Sequence, residues 1–455
     1  MVLRELVERF ERESPFAVMF RAVLERTLDA ERLDSLFARH AQRQSQQEIL
    51  FSTMVELMGS VAAKLQPSLH AAYQRQQAKL NYSVEALYRK LQRVEVGVSR
   101  ALIRETARDL GELIRRTKAT NPPILPGFRV KIVDGNHLAA TERRLGVIRA
   151  QNAAALPGLA LPILDPELGL IQDAILCEDA HAQERSLWPE LVACVQEGEV
   201  WIMDRNFCTA NILFGILDKE AYFLVRQHAQ SPAHELVGKR RLVVRDAQGL
   251  VYEQAILIRH PDGRAEQVRR VSIELHEPTR DGETEIHVLT NLPQRRVSAL
   301  RVLQAYRQRW TIEKAFLDVA QNMHGEIRTL GYPAAALFGF SLALVVFNVY
   351  AVLQAAVRAT HDPAQDKAEL SLYYVAHEIA SASGGMAIAL EAKYWTAAYA
   401  RLTTAQFVAE LLRIARGIDM SRYRKHPRGP KKRVTKKKTP IRQHAATQQL
   451  LKPPE

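Results

Sequence analysis

Two aspartates stand at the ends of apolar runs that are typical of buried strands. Asp134 closes the run KIVD directly before a glycine, and Asp204 closes VWIMD before Arg205 and Asn206. A carboxylate at the end of a buried strand is costly unless a cation compensates for its charge, and Mg²⁺ is commonly held by one or two carboxylates. Asp also starts turns and caps helices, so each aspartate taken alone has that simpler explanation.

A third polar group lies in the segment AYRQRWTIEKAF, which has the composition of a helix. Tyr306, Arg309 and Glu313 follow one another at i, i+3 and i+7, which places them within about 60° of each other on one helix face. Such a face could bind a metal ion and grip a phosphate. The alternative is an exposed face stabilised by ion pairs. Trp310 could stack on a base, although an aromatic residue on a helix more often belongs to the core.

The order of these motifs resembles that of the insertion-sequence 4 family of transposases, which are DDE enzymes of the ribonuclease-H-like superfamily. VDG, MDRN, a β-rich insertion, LTNLP and Y-x2-R-x3-E succeed one another between about 127 and 350. The resemblance implies that Asp134, Asp204 and Glu313 hold two Mg²⁺ (or Mn²⁺) ions. It also implies that Tyr306 and Arg309 contact the DNA backbone near the cleaved phosphate.

Two positions depart from the family pattern. The family has a lysine seven positions after the glutamate, where this chain has Ala320, and Lys314 lies about 80° away around the helix. One phosphate contact of the family therefore lacks its usual residue. Relatives that form hairpin DNA ends carry a tryptophan before the LTNLP-like strand, at the position of Ile286 here. Trp310 and Tyr252 are the aromatic residues that could replace it.

Periodicity and composition predict an α/β fold, with a mixed sheet flanked by helices and interrupted by a β-rich insertion. The resemblance implies that its core is ribonuclease-H-like. Asn121, Pro122 and Pro123 end an all-helical first part, and one long helix is predicted from about 297 to 322. The predicted units are a helical DNA-binding domain (1–120), the first part of the core (121–228), the insertion (229–283), the second part of the core (284–360), a helical region (361–420) and a basic disordered tail (421–455).

The charge of the chain is concentrated in that tail. The net charge is +13, and residues 420–455 contain 12 basic residues and one acidic residue. A basic tail favours a polyanion as partner, most often nucleic acid, although it can also serve solubility alone. Arg205 and Arg226, beside predicted strands, could touch DNA phosphates.

Several other functions lack support in the sequence. The motifs of nucleotide hydrolysis, dinucleotide binding, zinc proteolysis and serine hydrolysis do not occur, and His137, His228 and His324 have no metal-ligand spacing. The three cysteines form no CxxC pair. Residues 333–357 carry no charge, which fits a membrane anchor or, as we expect, a buried core helix. The charged N-terminus is unlike a signal peptide, so we expect a cytoplasmic, nucleoid-associated protein.

These observations together predict a DNA transposase that binds the terminal inverted repeats of an insertion sequence and catalyses metal-dependent cleavage and strand transfer. Its partners would be double-stranded DNA, as transposon ends and target, and a second copy of itself on paired ends, without a membrane. Two alternatives stay open: a metal-dependent nuclease that cuts without joining, and a catalytically inactive DNA-binding derivative of a transposase.

Overall fold

The computed structural model describes residues 2–45, 48–142, 145–149, 154–228, 231–279, 282–361, 370–426 and 444–452. Its first part is helical, as predicted, and several helices begin at a side-chain cap, such as Asp29, Ser68 or Ser83. These helices are α1 (Val2–Glu13), α2 (Pro15–Thr27), α3 (Ala30–His40), α4 (Phe51–Ala62), α5 (Leu69–Gln76), α6 (Val84–Leu91) and α7 (Val96–Thr117).

The middle of the chain forms a large mixed sheet, and one further strand of this region lies outside it. The strands are β1 (Arg129–Val133), β2 (Asn136–His137), β3 (Ala154–Leu156), β4 (Leu159–Asp165), β5 (Leu170–Cys177), β6 (Glu199–Met203), β7 (Tyr222–Arg226), β8 (Ala233–Asp246), β9 (Gly249–Arg259), β10 (Ala265–Leu275) and β11 (Glu285–Thr290). The order across the sheet is β5-β4-β1-β6-β7-β11-β10-β9-β8, with the short β2 also paired to β4.

Five of these strands lie in the two segments that the sequence predicts as the catalytic core. The strands β5, β4 and β1 pair antiparallel, whereas β6 and β7 run parallel to β1. The mixed α/β class that the sequence predicts is therefore confirmed. The predicted β-rich insertion holds β8, β9 and β10, which continue the same sheet because β11 pairs with β7 on one side and with β10 on the other.

Alternation along the strands gives the sheet two buried faces. Val130, Ile132 and Ile202 belong to the core shared with the N-terminal helices, whereas Val133 and Trp201 belong to a second cluster on the opposite face. Two helices that connect core strands, α9 (Trp188–Cys194) and α10 (Ala210–Leu217), supply residues of that second cluster. A shorter helix, α8 (Gly146–Arg149), precedes β3.

The uncharged segment is a buried helix. After α11 (Ala299–Arg307) and α12 (Trp310–Asn322), α13 (Pro333–Thr360) packs against α7, α4, α2 and β5. It is long and apolar enough to cross a membrane, but its most apolar window is entirely buried inside the protein. The side chain of Asn348 accepts a bond from the N–H of Ile171 and donates one to its carbonyl, both at 2.7 Å. The segment is therefore a core helix, as predicted, and its Asn348 satisfies backbone groups of β5.

The last part of the chain returns to the body of the protein. Helices α14 (Leu372–Ala389), α15 (Ala392–Trp395) and α16 (Thr404–Arg416) are followed by β12 (His444–Ala446) and α17 (Thr447–Leu451). The strand β12 pairs in parallel with β3. The predicted disordered tail thus contains ordered structure after residue 443, where charged residues become sparse, whereas residues 427–443 lie outside the described part of the chain.

Candidate active site

Two carboxylates lie side by side at one edge of the sheet. Because β1 and β6 are parallel and Val133 pairs with Met203, the residues that follow them, Asp134 and Asp204, leave adjacent strands at the same level. Both side chains are half-buried. The structure therefore brings together the two aspartates that the sequence predicts to share a site.

The environment of Asp134 disfavours its charge. Desolvation by burial is the largest cause and raises the pKa of Asp134 to about 6, with Asp204 and Glu184 adding repulsion, while the guanidinium of Arg309 acts in the opposite direction. The pKa of an unperturbed aspartate is 3.8. The negative charge of Asp134 is thus incompletely compensated, and a further cation nearby would be stabilising.

The helix that carries the third acidic residue differs from the prediction. Instead of one helix from 297 to 322, α11 and α12 are separated at Gln308 and Arg309. Between them the N–H groups of Arg309 and Ile312 bond to carbonyls three residues earlier rather than four, which overwinds the chain. Tyr306 therefore lies in the last turn of α11, and Glu313 lies in the first turn of α12.

Arg309 connects the two parts of the predicted triad. Its Nη1 donates a 2.7 Å hydrogen bond to Oδ2 of Asp134, and its Nη2 donates one of the same length to Oε1 of Glu313. The guanidinium is largely buried, with 11% of the side chain exposed. The ion-paired helix face considered from the sequence is thus present, but its arginine also reaches the end of β1.

Tyr306 lies beside the same carboxylates. Burial, followed by the negative charge of Asp204, raises the pKa of its hydroxyl well above the usual range, while Arg309 and Arg226 act against this shift. Tyr306 is therefore a neutral phenol at physiological pH. A neutral hydroxyl can donate a hydrogen bond to a phosphate oxygen without adding negative charge.

Trp310 differs from the core position that aromatic residues on helices usually occupy. Its side chain is 65% exposed, and the guanidinium of Arg309 lies 5.4 Å from the centre of its ring. Tyr252, the other aromatic residue considered for base stacking, has Arg240 over its ring at 3.8 Å. Of these two rings, only that of Trp310 presents a largely exposed surface.

The two arginines predicted to touch phosphates share one acidic partner. Arg226 forms a close ion pair with Glu283, and a guanidinium nitrogen of Arg205 lies 4.0 Å from the same carboxylate. The hydrogen bond that Arg226 donates to Glu283 is the largest of the causes that raise the pKa of Arg226. Sequence reasoning did not single out Glu283, because a glutamate before a β-strand carries no signal of such a role.

These arginines line a cavity of about 600 Å³, to which Glu283 and Glu285 also contribute. Arg270, His287 and Ile286 also line it, so the isoleucine found where the resemblance predicts a tryptophan lies at the wall of a polar cavity. Burial and then the neighbouring arginines lower the pKa of His287 to about 4, so this histidine is neutral at pH 7. The cavity carries an excess of guanidinium groups, which suits an anionic ligand.

The donor set agrees with a hard cation. Asp134, Asp204 and Glu313 offer carboxylate oxygens, the ligands that Mg²⁺ and Mn²⁺ prefer. Within the described ranges, no group of three Asp, Glu, His or Cys side chains is already arranged around one point as metal ligands. In the structure, the cationic group that joins Asp134 to Glu313 is the guanidinium of Arg309. By their charge and their oxygen atoms, the three carboxylates fit a divalent cation.

Comparison with known proteins finds a matching family and a similar solved structure. Residues 126–348 match the family described as "Transposase DDE domain", a segment that includes all three predicted acidic residues. A comparison with curated protein sequences finds no match. Among solved structures, the chain is similar to that described as "Cryo-EM structure of piggyBac transposase synaptic complex with hairpin DNA", at 7% identity and a TM-score of 0.39, covering 86% of each chain. The match supports the presence of a transposase DDE domain in residues 126–348.

Proposed function

We propose that the protein is a transposase of the insertion-sequence 4 family that binds terminal inverted repeats and performs metal-dependent strand cleavage and strand transfer. The observation that carries the proposal is the juxtaposition of Asp134 and Asp204 at the ends of adjacent parallel strands, with Glu313 joined to Asp134 through Arg309. This arrangement lies within the segment that matches the transposase DDE domain.

Asp134, Asp204 and Glu313 would hold two Mg²⁺ or Mn²⁺ ions. Such ions, when bound, supply an activated water or 3′-hydroxyl and stabilise the attacking and leaving oxygens of a phosphodiester. Two side chains beside the carboxylates, those of Arg309 and Tyr306, would bind the DNA backbone. Arg309 would exchange a carboxylate for a phosphate oxygen, and neutral Tyr306 would donate a hydrogen bond to the same backbone.

Other residues would hold the DNA around the reacting phosphate. Arg205 and Arg226 line the cavity beside Asp204 and would bind neighbouring phosphates. Trp310 would stack on a base near the end of the transposon. The N-terminal helices would recognise the terminal repeats, and a homodimer would hold two ends together.

Strand-transfer assays test this proposal directly. The full-length chain would be mixed with labelled DNA that ends in the inverted repeats flanking its gene, a supercoiled target plasmid and Mg²⁺. We expect Mg²⁺-dependent nicking at the repeat boundary and joining of pre-cut ends to the plasmid. Nicking without joining would support a nuclease instead, and specific DNA binding without nicking would support an inactive derivative, as Ala320 in place of the family lysine would favour.

A further inference from the structure

The two glutamates that line the cavity of about 600 Å³ are already paired with arginines. Glu283 forms its close ion pair with Arg226 and lies 4.0 Å from a guanidinium nitrogen of Arg205. Oε1 of Glu285 accepts a 2.5 Å hydrogen bond from Arg240, an arginine of β8. Neither of these ion pairs includes the third arginine that lines the cavity.

That third arginine is Arg270, in the middle of β10, where it pairs across the sheet with Leu289 of β11 and Gln254 of β9. Its Nε is buried and makes no hydrogen bond within the described part of the chain. Burial lowers the pKa of Arg270, Glu285 acts against this shift, and Arg240 adds to it. A buried donor without an acceptor is unfavourable, so an anion beside Arg270 would be stabilising.

The positive charge of Arg270 acts on the interior of the cavity. After burial, this charge is the largest of the causes that lower the pKa of His287, another residue of the lining. Nδ1 of His287 lies 2.7 Å from Oγ of Ser272, which follows Arg270 by two residues and therefore shares its face of β10. The wall formed by β10 and β11 thus combines a fixed positive charge with a neutral imidazole.

We propose that Arg270 is a further DNA-binding residue, whose guanidinium binds a backbone phosphate that enters this cavity. This inference rests on the proposed function, because it deepens the assignment of Arg205 and Arg226 to phosphates around the site. A guanidinium can donate two parallel hydrogen bonds to a phosphate, and a phosphate oxygen would supply the acceptor that Nε lacks. Because β10 lies in the predicted insertion (229–283), the insertion itself would hold DNA.

Binding of the full-length chain to a labelled duplex that ends in the inverted repeat flanking its gene, without divalent cations, tests the assignment. Arg270→Gln should weaken binding by about 10-fold and reduce the slope of log affinity against log salt concentration by about 0.9, because one phosphate loses its counter-ion. Its thermal unfolding midpoint should stay the same or rise, because an unpaired buried charge is removed. Arg259→Gln, which alters an exposed ion pair with Glu235 in the same insertion, is the matched control and should keep the slope.

Duplexes with a single uncharged phosphate identify the contact. A methylphosphonate placed at the phosphate that Arg270 binds should weaken binding by the unmodified chain and have little further effect on Arg270→Gln. The two changes are then non-additive, as expected for groups in contact. Additive losses at every phosphate around the cleavage position would overturn the assignment.

The outcomes separate this inference from the proposed function. Unchanged affinity and slope in Arg270→Gln, with DNA binding by the unmodified chain, would overturn the role of Arg270 and leave the proposed function standing. A lower unfolding midpoint with unchanged affinity would show that Arg270 serves the fold instead. Failure of the unmodified chain to bind the repeat DNA would contradict both.

A second variant covers the case in which Arg270→Gln does not fold. Arg270→Lys keeps the positive charge but loses the paired N–H groups of the guanidinium. It should therefore keep the salt slope and bind the duplex more weakly than the unmodified chain, with a smaller penalty from the methylphosphonate. Equal affinity and an equal penalty would overturn the assignment.

Discussion

Arg309 and Asp134, which are 175 positions apart in the sequence, share a 2.7 Å hydrogen bond at the edge of the central sheet. The same guanidinium bonds to Glu313 at 2.7 Å. The proposed function assigns both carboxylates to a divalent cation. Arg309 and that cation therefore compete for the same oxygens, and Arg309 is also the residue expected to contact the phosphate of the DNA.

This competition gives Arg309→Ala two opposite effects. Removing the guanidinium should strengthen Mn²⁺ binding to the protein without DNA by several-fold, because Asp134 and Glu313 lose their internal counter-ion. Cleavage of transposon DNA should nevertheless fall, on the order of 100-fold, because the phosphate no longer receives a charge-assisted hydrogen bond. Metal titrations and single-turnover nicking assays measure the two effects. Arg89→Ala, an exposed arginine of α6, is the control, and weaker metal binding in Arg309→Ala would contradict the competition.

The three acidic residues should act as one unit. Asp134→Asn, Asp204→Asn and Glu313→Gln should each reduce Mg²⁺-dependent cleavage below detection, because each removes a negative ligand while preserving the side-chain shape. Binding to DNA that carries the terminal repeats should persist, as measured by gel-shift titration. Asp218→Asn replaces an aspartate paired with Arg264 at the surface and should leave cleavage unchanged. Near-normal cleavage by any one of the three variants would remove that residue from the site.

The raised pKa of Asp134 predicts a pH dependence of stability. The pKa is about 6 in the folded protein and 3.8 for an unperturbed aspartate, so the folded state retains the proton more strongly. The resulting stabilisation is complete below about pH 4 and is lost as the pH rises through 6, by at most about 3 kcal/mol. Urea unfolding at several pH values should show this decline. Asp134→Asn cannot ionise, so the difference between its profile and that of the unmodified chain isolates the contribution, and parallel profiles would contradict it.

The basic segment should add salt-sensitive affinity for DNA. Deleting residues 421–455 would be a poor test, because Tyr423 packs on Phe16 and β12 pairs with β3. Changing the eight Lys and Arg residues between 427 and 443 to Gln avoids this damage. The variant should show a shallower dependence of log affinity on log salt concentration, by up to about 0.9 for each phosphate that the segment no longer neutralises. Matched changes of eight exposed Gln residues to Asn provide a control, and an unchanged slope would show that the segment does not touch DNA.

The local parts of the site were predictable, whereas its assembly was not. Asp134 and Asp204 follow short apolar runs, and such runs identify strand ends without any knowledge of the fold. That β1 and β6 are neighbours depends on pairing between distant segments, which only the family resemblance indicated. The pairing of β7 with β11, through which the sheet continues, likewise joins segments that lie far apart in the sequence.

Three details carry no local signal at all. Gln308 and Arg309 are compatible with a continuous helix, so the break between α11 and α12 reflects packing rather than propensity. Glu184 stands in the segment HAQERSL, where a glutamate before a helix is ordinary. Ala154 in β3 pairs with His444, and a strand of three residues is too short to predict from composition.

The final prediction concerns the end of the transposon. A hairpin there bends the terminal bases sharply, and flipping one of them out costs a few kcal/mol of stacking. An aromatic ring can recover about 1–3 kcal/mol of this cost, whereas Ile286, at the family position of tryptophan, has no π-face. Trp310 is largely exposed, while the ring of Tyr252 is covered by Arg240. We therefore expect Trp310→Ala to retain first-strand nicking and to lose double-strand release.

Two further variants serve as controls for this prediction. Trp310→Phe, which keeps a stacking ring, should restore most of that release. Tyr252→Phe, which keeps the ring and removes its hydroxyl, should behave like the unmodified chain. A denaturing gel of end-labelled transposon DNA with Mg²⁺ separates nicked, hairpin and released products. A strong hairpin band that persists in Trp310→Ala would show that another group supports the bend.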